Sequence, residues 1–177
     1  LADLDNGWSA ETTLDPWLNG RAEYYLKRGK VPMGAVVVLD LPSGDVLALA
    51  DRFVADHPAT QGIDRAGPPS LALRNVAPAA SIFKILSSAA LLDNGLEPYQ
   101  EFPFVYAKRG LSARHLKKSI PGAARTSLGT ALATSNNGFF GRVTDARLTR
   151  DDFTKYVNRF GFNKVIPFPI LTDASTV

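Results

Sequence analysis

Apolar positions along the chain follow two periods, and each period predicts a different kind of element. After Asp15, a residue suited to cap a helix, and Pro16, suited to a first helical position, Trp17, Leu18, Ala22, Tyr25 and Leu26 form a helical stripe. Residues 35–40 and 45–50 are strand-like runs joined by Pro42, Ser43 and Gly44, which predicts a β-hairpin. The first run is apolar nearly throughout, as in a strand covered on both faces. An isolated hairpin is marginal in water, so these strands are expected to pair with others, yet no later segment has a comparable β pattern. From Ser81 onward Ile82, Ile85, Leu86, Ala89, Ala90 and Leu92 make a mostly apolar helix that Asp93, Asn94 and Gly95 bring to an end. Residues 51–75, rich in Pro, Gly, Asp and Ala, read as a long loop expected to line the site before Ser81, and residues 101–124 as a second loop decorating the helical part.

Composition narrows the class without changing this picture. The 177 residues are 45% hydrophobic and 21% charged, enough for a real core in one domain or most of one. The formal net charge of +3 comes with short basic clusters at residues 27–30, 108–109 and 117–118, which lack the interleaved aromatics of a nucleic-acid groove and read as solvated faces. With no cysteine, disulfides, thiol catalysis and cysteine-ligated metal are excluded. His57 and His115 have neither a metal-ligand spacing nor a nucleophile elbow around any serine, so a Ser-His-Asp site and a metal site are both disfavoured and no cofactor is called for.

The chemistry that the residues do offer is a serine paired with a lysine. Ser81 and Lys84 are three apart at the start of the apolar helix, a spacing that puts both side chains on one face. A hydroxyl is a poor nucleophile until a base takes its proton, and a lysine serves as that base when burial lowers its pKa. The apolar run around Lys84 offers such burial. An amide near the helix start, that of Ser81, is a candidate donor to an oxyanion. A helix carrying an ordinary serine and a solvated lysine would show the same four residues, so the weight falls on the flanks.

Those flanks resemble the transpeptidase domain of penicillin-binding proteins, whose signature is S-x-x-K, then S-x-N, then K-T-G. Ser81-Ile82-Phe83-Lys84 and Ser135-Asn136-Asn137 match the first two motifs in order, and the stretch from Thr126 to Thr134 resembles the helical lead-in to the second. Glu11-Thr12-Thr13-Leu14-Asp15-Pro16 resembles the segment that introduces the domain, residues 34–50 its first hairpin, and Tyr156-Val157-Asn158-Arg159-Phe160-Gly161-Phe162 a following helix end. No Lys-Thr-Gly or Lys-Ser-Gly follows Asn137.

The resemblance implies an α/β (α+β) fold, a helical subdomain packed on an antiparallel sheet of which only the first hairpin is evident. Residues 1–177 would be a partial transpeptidase domain, with the hairpin at 35–50, the S-x-x-K helix at 81–93 and the S-x-N region at 126–137; the remaining strands and the third motif would lie outside this sequence. It also implies roles. Ser81 would attack a D-alanyl-D-alanine peptide bond, Lys84 would take its proton, Ser135 would relay a proton to the leaving amine, and Asn137 would hold the substrate amide and help to position Lys84. A helix cap is the plain structural alternative for Ser135 and Asn137. Implied partners are peptidoglycan stem peptides, β-lactams and other cell-wall synthesis proteins, with no nucleic acid, in a membrane-anchored parent facing the periplasm or outer side of the cytoplasmic membrane. A D,D-carboxypeptidase or β-lactamase-like hydrolase, and a catalytically incomplete binding domain, remain open beside the transpeptidase.

Overall fold

The structure is a computed structural model that describes residues 2–3, 7, 9–63, 66–107, 110–116 and 121–177. The basic clusters at 108–109 and 117–118 lie outside the described residues. The chain forms two compact units: Leu1–Val76 with Val165–Ala174, and Ala77–Lys164 with Ser175–Val177.

In the first unit a short antiparallel ribbon, β1 (Ala2–Asp3) with β2 (Ser9–Ala10), precedes helix α1 (Pro16–Arg28) and the hairpin β3 (Met33–Leu39) and β4 (Val46–Phe53). The Asp15 carboxylate accepts the Leu18 N–H at 2.9 Å and fixes the start of α1 as its sequence predicts. Ala22 is buried, with Leu18 and Leu26 half-buried beside it. Trp17 and Tyr25, by contrast, are 69% and 55% exposed and leave the predicted stripe. The cause is Arg21, whose guanidinium lies 6.0 Å from the Trp17 ring centre and 4.9 Å from that of Tyr25, and donates to the Tyr25 hydroxyl. Both rings therefore turn to the wet side of the helix.

The hairpin pairs Val37 with Leu49, and its turn is held by Asp40, which accepts from the Ser43 amide and hydroxyl. Those two bonds hold the Asp40 carboxyl below its ordinary pKa. Val37 and Leu39 are exposed while Val36 and Val38 are half-buried, so β3 is covered on one face, not on two. Among the described residues the hairpin pairs with no further strand. Along the outer edge of β4, the Leu47 carbonyl accepts from the Asp15 N–H, the Val46 carbonyl from the Thr13 hydroxyl, and the Leu49 N–H donates to the Asn19 side chain. The approach to α1 and its first turns thus satisfy the edge groups that another strand would otherwise take. Residues 51–75 hold 3₁₀ turns at Pro58–Thr60 and Leu71–Leu73, the second anchored where the Asp51 carboxylate accepts from the Ser70 hydroxyl and the Leu71 amide.

The second unit is built round helix α2 (Phe83–Asp93), which is apolar on more than one side because it is buried on more than one side. Leu91 joins Leu96, Phe104, Leu128, Ala131, Phe139, Phe140 and Val143 in one core cluster, while Leu86 and Ala90 join Tyr156 and Val157 in another. Ser87 and Ser88 are tolerated inside because each hydroxyl donates to a carbonyl one turn back, Phe83 and Lys84 respectively. The second loop expected from the sequence contains β5 (Phe102–Phe104), which pairs with β6 (Ala124–Thr126); three-residue strands are too short to show a period. Helices α3 (Leu128–Ala133), α4 (Asn137–Arg147) and α5 (Arg150–Arg159) complete the unit. Two glycines let the chain after β5 lie directly on α4: a Cβ at Gly138 would stand 1.9 Å from the Val105 carbonyl oxygen, and one at Gly141 would stand 2.5 Å from Leu111 Cδ1.

This contact gives a paired expectation. Gly138→Ala drives a methyl into a backbone carbonyl and should destabilise the chain by roughly 1–3 kcal/mol. Gly129→Ala, in the open space around α3, should be neutral or stabilising by up to about 1 kcal/mol. Thermal denaturation of both variants checks the packing; equal melting temperatures would refute it.

Candidate active site

Ser81 lies at the junction that leads into α2, within a 3₁₀ turn (Ala80–Ile82), with the α-helix itself beginning at Phe83. The predicted helix over 81–93 is thus two residues shorter as an α-helix. Because the turn runs straight into the helix, the three-residue spacing still closes: Lys84 Nζ is 3.1 Å from Ser81 Oγ. Ser81 is exposed and Lys84 is only 8% exposed, so the hydroxyl faces solvent and the amine is withdrawn from it. Burial draws the Lys84 pKa below its ordinary value, in the direction a general base requires. The Ser81 N–H makes none of the backbone hydrogen bonds of the turns, loops and caps, as suits an oxyanion donor.

Ser135 reaches this pair from the end of α3, 54 residues along the chain. Helices α2, α3 and α5 all stop in the same way. The amide of the residue just past the cap and the next amide bond back to carbonyls of the last turn: Gly95 to Leu92 and Leu96 to Leu91, Ser135 to Leu132 and Asn136 to Ala131, Gly161 to Asn158 and Phe162 to Val157. The first of each pair sits in left-handed backbone, with φ of 77° at Gly95, 51° at Ser135 and 78° at Gly161. Two of the three use glycine, which adopts that conformation without a Cβ penalty. Ser135 bears the penalty, and its contacts show what is gained. Lys84 Nζ donates to the Ser135 carbonyl at 2.9 Å and to its hydroxyl oxygen at 2.8 Å, and the Ser135 hydroxyl donates to Ser81 Oγ at 2.8 Å. A left-handed serine aims its carbonyl and its hydroxyl at one amine, which glycine cannot do. Ala80, next to Ser81, also holds a positive φ of 47°, so unfavourable backbone flanks the site on both sides.

Of the four predicted residues, Ser81, Lys84 and Ser135 thus meet in one closed triangle of hydrogen bonds. The hydrogen bonds of Lys84 Nζ go to Ser81 and Ser135. Asn137 lines a cavity of about 190 Å³ with Tyr106, Ala107, Thr134, Ser135 and Asn136. The cap of α4 is Asn136, whose side chain accepts the Phe139 N–H at 3.0 Å, and this leaves Asn137 for the cavity. Sequence reasoning missed three contributors: the Ser135 carbonyl, the Phe140 ring 5.8 Å from Lys84 Nζ, and Tyr106. The helix stop at Ser135 lacks the glycine found at the stops of α2 and α5, but that pattern does not tell which way its carbonyl points.

The penicillin-binding protein transpeptidase domain model matches residues 34–171. The chain belongs to that family. Among solved structures it is similar to the penicillin-binding protein PonA1 from Mycobacterium tuberculosis, with a TM-score of 0.58 and 19% identity over 88% of this chain and 39% of PonA1. The chain therefore spans well under half of that protein's length, and the likeness is one of fold. No curated protein matches it. Mixed helices with small antiparallel sheets agree with an α/β penicillin-binding transpeptidase fold. Among the described residues no helix is long and apolar enough to cross a membrane.

Backbone strain at Ser135 can be isolated by comparing two variants that both lack the hydroxyl. Ser135→Gly should be more stable than Ser135→Ala by about 1 kcal/mol, since only the alanine bears the left-handed penalty. Equal stability in urea titrations would mean that residue 135 does not hold this conformation.

Proposed function

We propose that this chain carries the acyl-serine site of a peptidoglycan D,D-transpeptidase. The observation that carries the reading is the triangle of Ser81, Lys84 and Ser135, with an exposed nucleophile and a buried amine. In its neutral form Lys84 accepts the Ser81 proton as Oγ attacks the carbonyl of a terminal D-alanyl-D-alanine bond. The carbonyl oxygen becomes an oxyanion facing the Ser81 amide. Collapse breaks the C–N bond: the Ser135 hydroxyl gives its proton to the leaving nitrogen and is reprotonated from Lys84, so the ammonium returns to the neutral amine. Asn137, in the adjoining cavity, offers an amide to the peptide backbone.

The acyl-serine ester then passes to an amine of a second stem peptide. Attack forms the new amide, one amine proton leaves through Lys84, and Ser81 Oγ departs and is reprotonated. Water in place of the amine gives the carboxypeptidase or hydrolase outcome from the same ester. A β-lactam acylates Ser81 because its strained amide enters the same first step. Stem peptides, β-lactams and cell-wall synthesis proteins are the partners this chemistry fits, at the outer side of the cytoplasmic membrane.

Fluorescent penicillin tests the reading. It should label the chain covalently, Ser81→Ala should abolish the label, and Lys84→Ala should slow it by orders of magnitude. Label on the Ser81 variant equal to wild type would overturn the assignment. Since the reactive species is the neutral amine, the labelling rate should rise with pH to a midpoint below 10.5, the ordinary lysine value, and Lys84→Ala should lose this limb. A rate flat across that range would contradict Lys84 as the base.

A further inference from the structure

Helix α1 carries an exposed row opposite its buried side. Trp17, Arg21, Tyr24 and Arg28 recur at helical spacing and share one face, turned away from buried Ala22 and half-buried Leu18 and Leu26. Arg21 stands at the centre of the row. Its guanidinium lies 5.4 Å from the Tyr24 ring centre, in addition to its contacts with the Trp17 and Tyr25 rings, and it donates to the Tyr25 hydroxyl at 2.7 Å. Arg28 repeats the arrangement, 6.0 Å from the Tyr24 ring centre and donating to that hydroxyl at 3.2 Å. Three surface rings thus hold two guanidinium groups in place. Neither arginine has a carboxylate partner among the described residues. Glu23, the one acid of α1, is engaged by Asn19 and Lys27.

Gly20 gives a second, independent sign. It sits in the helix interior on an exposed side, one turn from both Trp17 and Tyr24, where glycine is less favourable than alanine. Its φ is not positive, and a Cβ there would meet nothing within 4 Å, so neither backbone nor packing among the described residues calls for glycine. What the missing side chain does provide is a gap between two aromatic residues, through which another molecule can reach the helix backbone.

We infer that this face of α1 docks a partner protein through a segment that carries carboxylates, for Arg21 and Arg28, beside an apolar side chain seated over Gly20. Planar guanidinium groups already held by rings accept a carboxylate in a two-bonded fork and lose little freedom in doing so. The two arginines are seven residues apart, so the carboxylates would stand about 10 Å apart, as on residues seven apart of a second helix. Trp, Tyr and Arg are also the residues that dominate the binding energy of protein interfaces. A lipid surface fits less well, because an interfacial helix buries an apolar face, and here charged groups lie among the rings that would have to enter. Nothing in the inference depends on the chemistry at Ser81.

Selection from a random library of displayed peptides of about twelve residues tests it, with the Arg21→Gln/Arg28→Gln chain as the counter-selecting surface. Recovered peptides should be enriched in Asp and Glu beside an apolar residue. A synthetic copy of the most frequent one should bind the unmutated chain about tenfold tighter than its own Asn/Gln twin does. Arg21→Lys, which keeps the charge and loses the fork, should forfeit most of that preference. Gly20→Leu fills the gap and should cut affinity about tenfold, whereas Gly20→Ala should raise the melting temperature of the free chain and still bind several-fold more weakly. Lys164→Gln, which removes an exposed charge elsewhere, should bind within twofold of the unmutated chain. No recovery above the double variant, recovered peptides no richer in acids than the library, equal binding of the two twins, or undiminished binding by Gly20→Leu would overturn the inference. Sedimentation with phosphatidylglycerol vesicles that the double variant loses, without any peptide selection, would overturn it in favour of a lipid surface.

Discussion

The site depends on one constraint: an amine must be held out of water, within reach of a hydroxyl that remains in water. Lys84 meets it because α2 is buried between two core clusters while the turn before it surfaces at Ser81. A charged amine withdrawn from solvent would be unstable without hydrogen-bond acceptors, and Ser135 supplies two of the three. The same residue that makes burial tolerable thus also bonds to Ser81. Structure and chemistry are one set of bonds here, which is why strained backbone at Ser135 persists where glycine would relieve it.

How much of this was legible in the sequence depended on how local each relation was. Ser81 and Lys84 are one helical turn apart, and their contact survives even though the turn is 3₁₀ and not α. The Asp15 cap and the hairpin turn at Pro42, Ser43 and Gly44 were legible for the same reason, although the Asp40 bonds that hold the turn were not called. Ser135 could be matched only through the family's second motif, since nothing in spacing brings a residue 54 positions away to a given hydroxyl. Its carbonyl was beyond reach because a motif names side chains and not backbone direction.

Other misses have equally specific causes. Trp17 and Tyr25 look like core on a helical wheel, and the stacking of Arg21 against them decides otherwise. The free-looking edge of β4 is closed by side chains and amides from residues 13–19, a pairing that hydropathy cannot register. The closeness of the Val105 backbone to Gly138 and of the Leu111 side chain to Gly141 joins segments far apart in the chain, which no local pattern registers.

The central claim concerns the protonation of one amine, and a ¹⁵N NMR titration of Lys84 Nζ, assigned with Lys84→Arg, tests it most directly. The account predicts a midpoint below 10.5. A midpoint at or above that value would show an amine as well solvated, or as well stabilised in its charged form, as any surface lysine, and would contradict it.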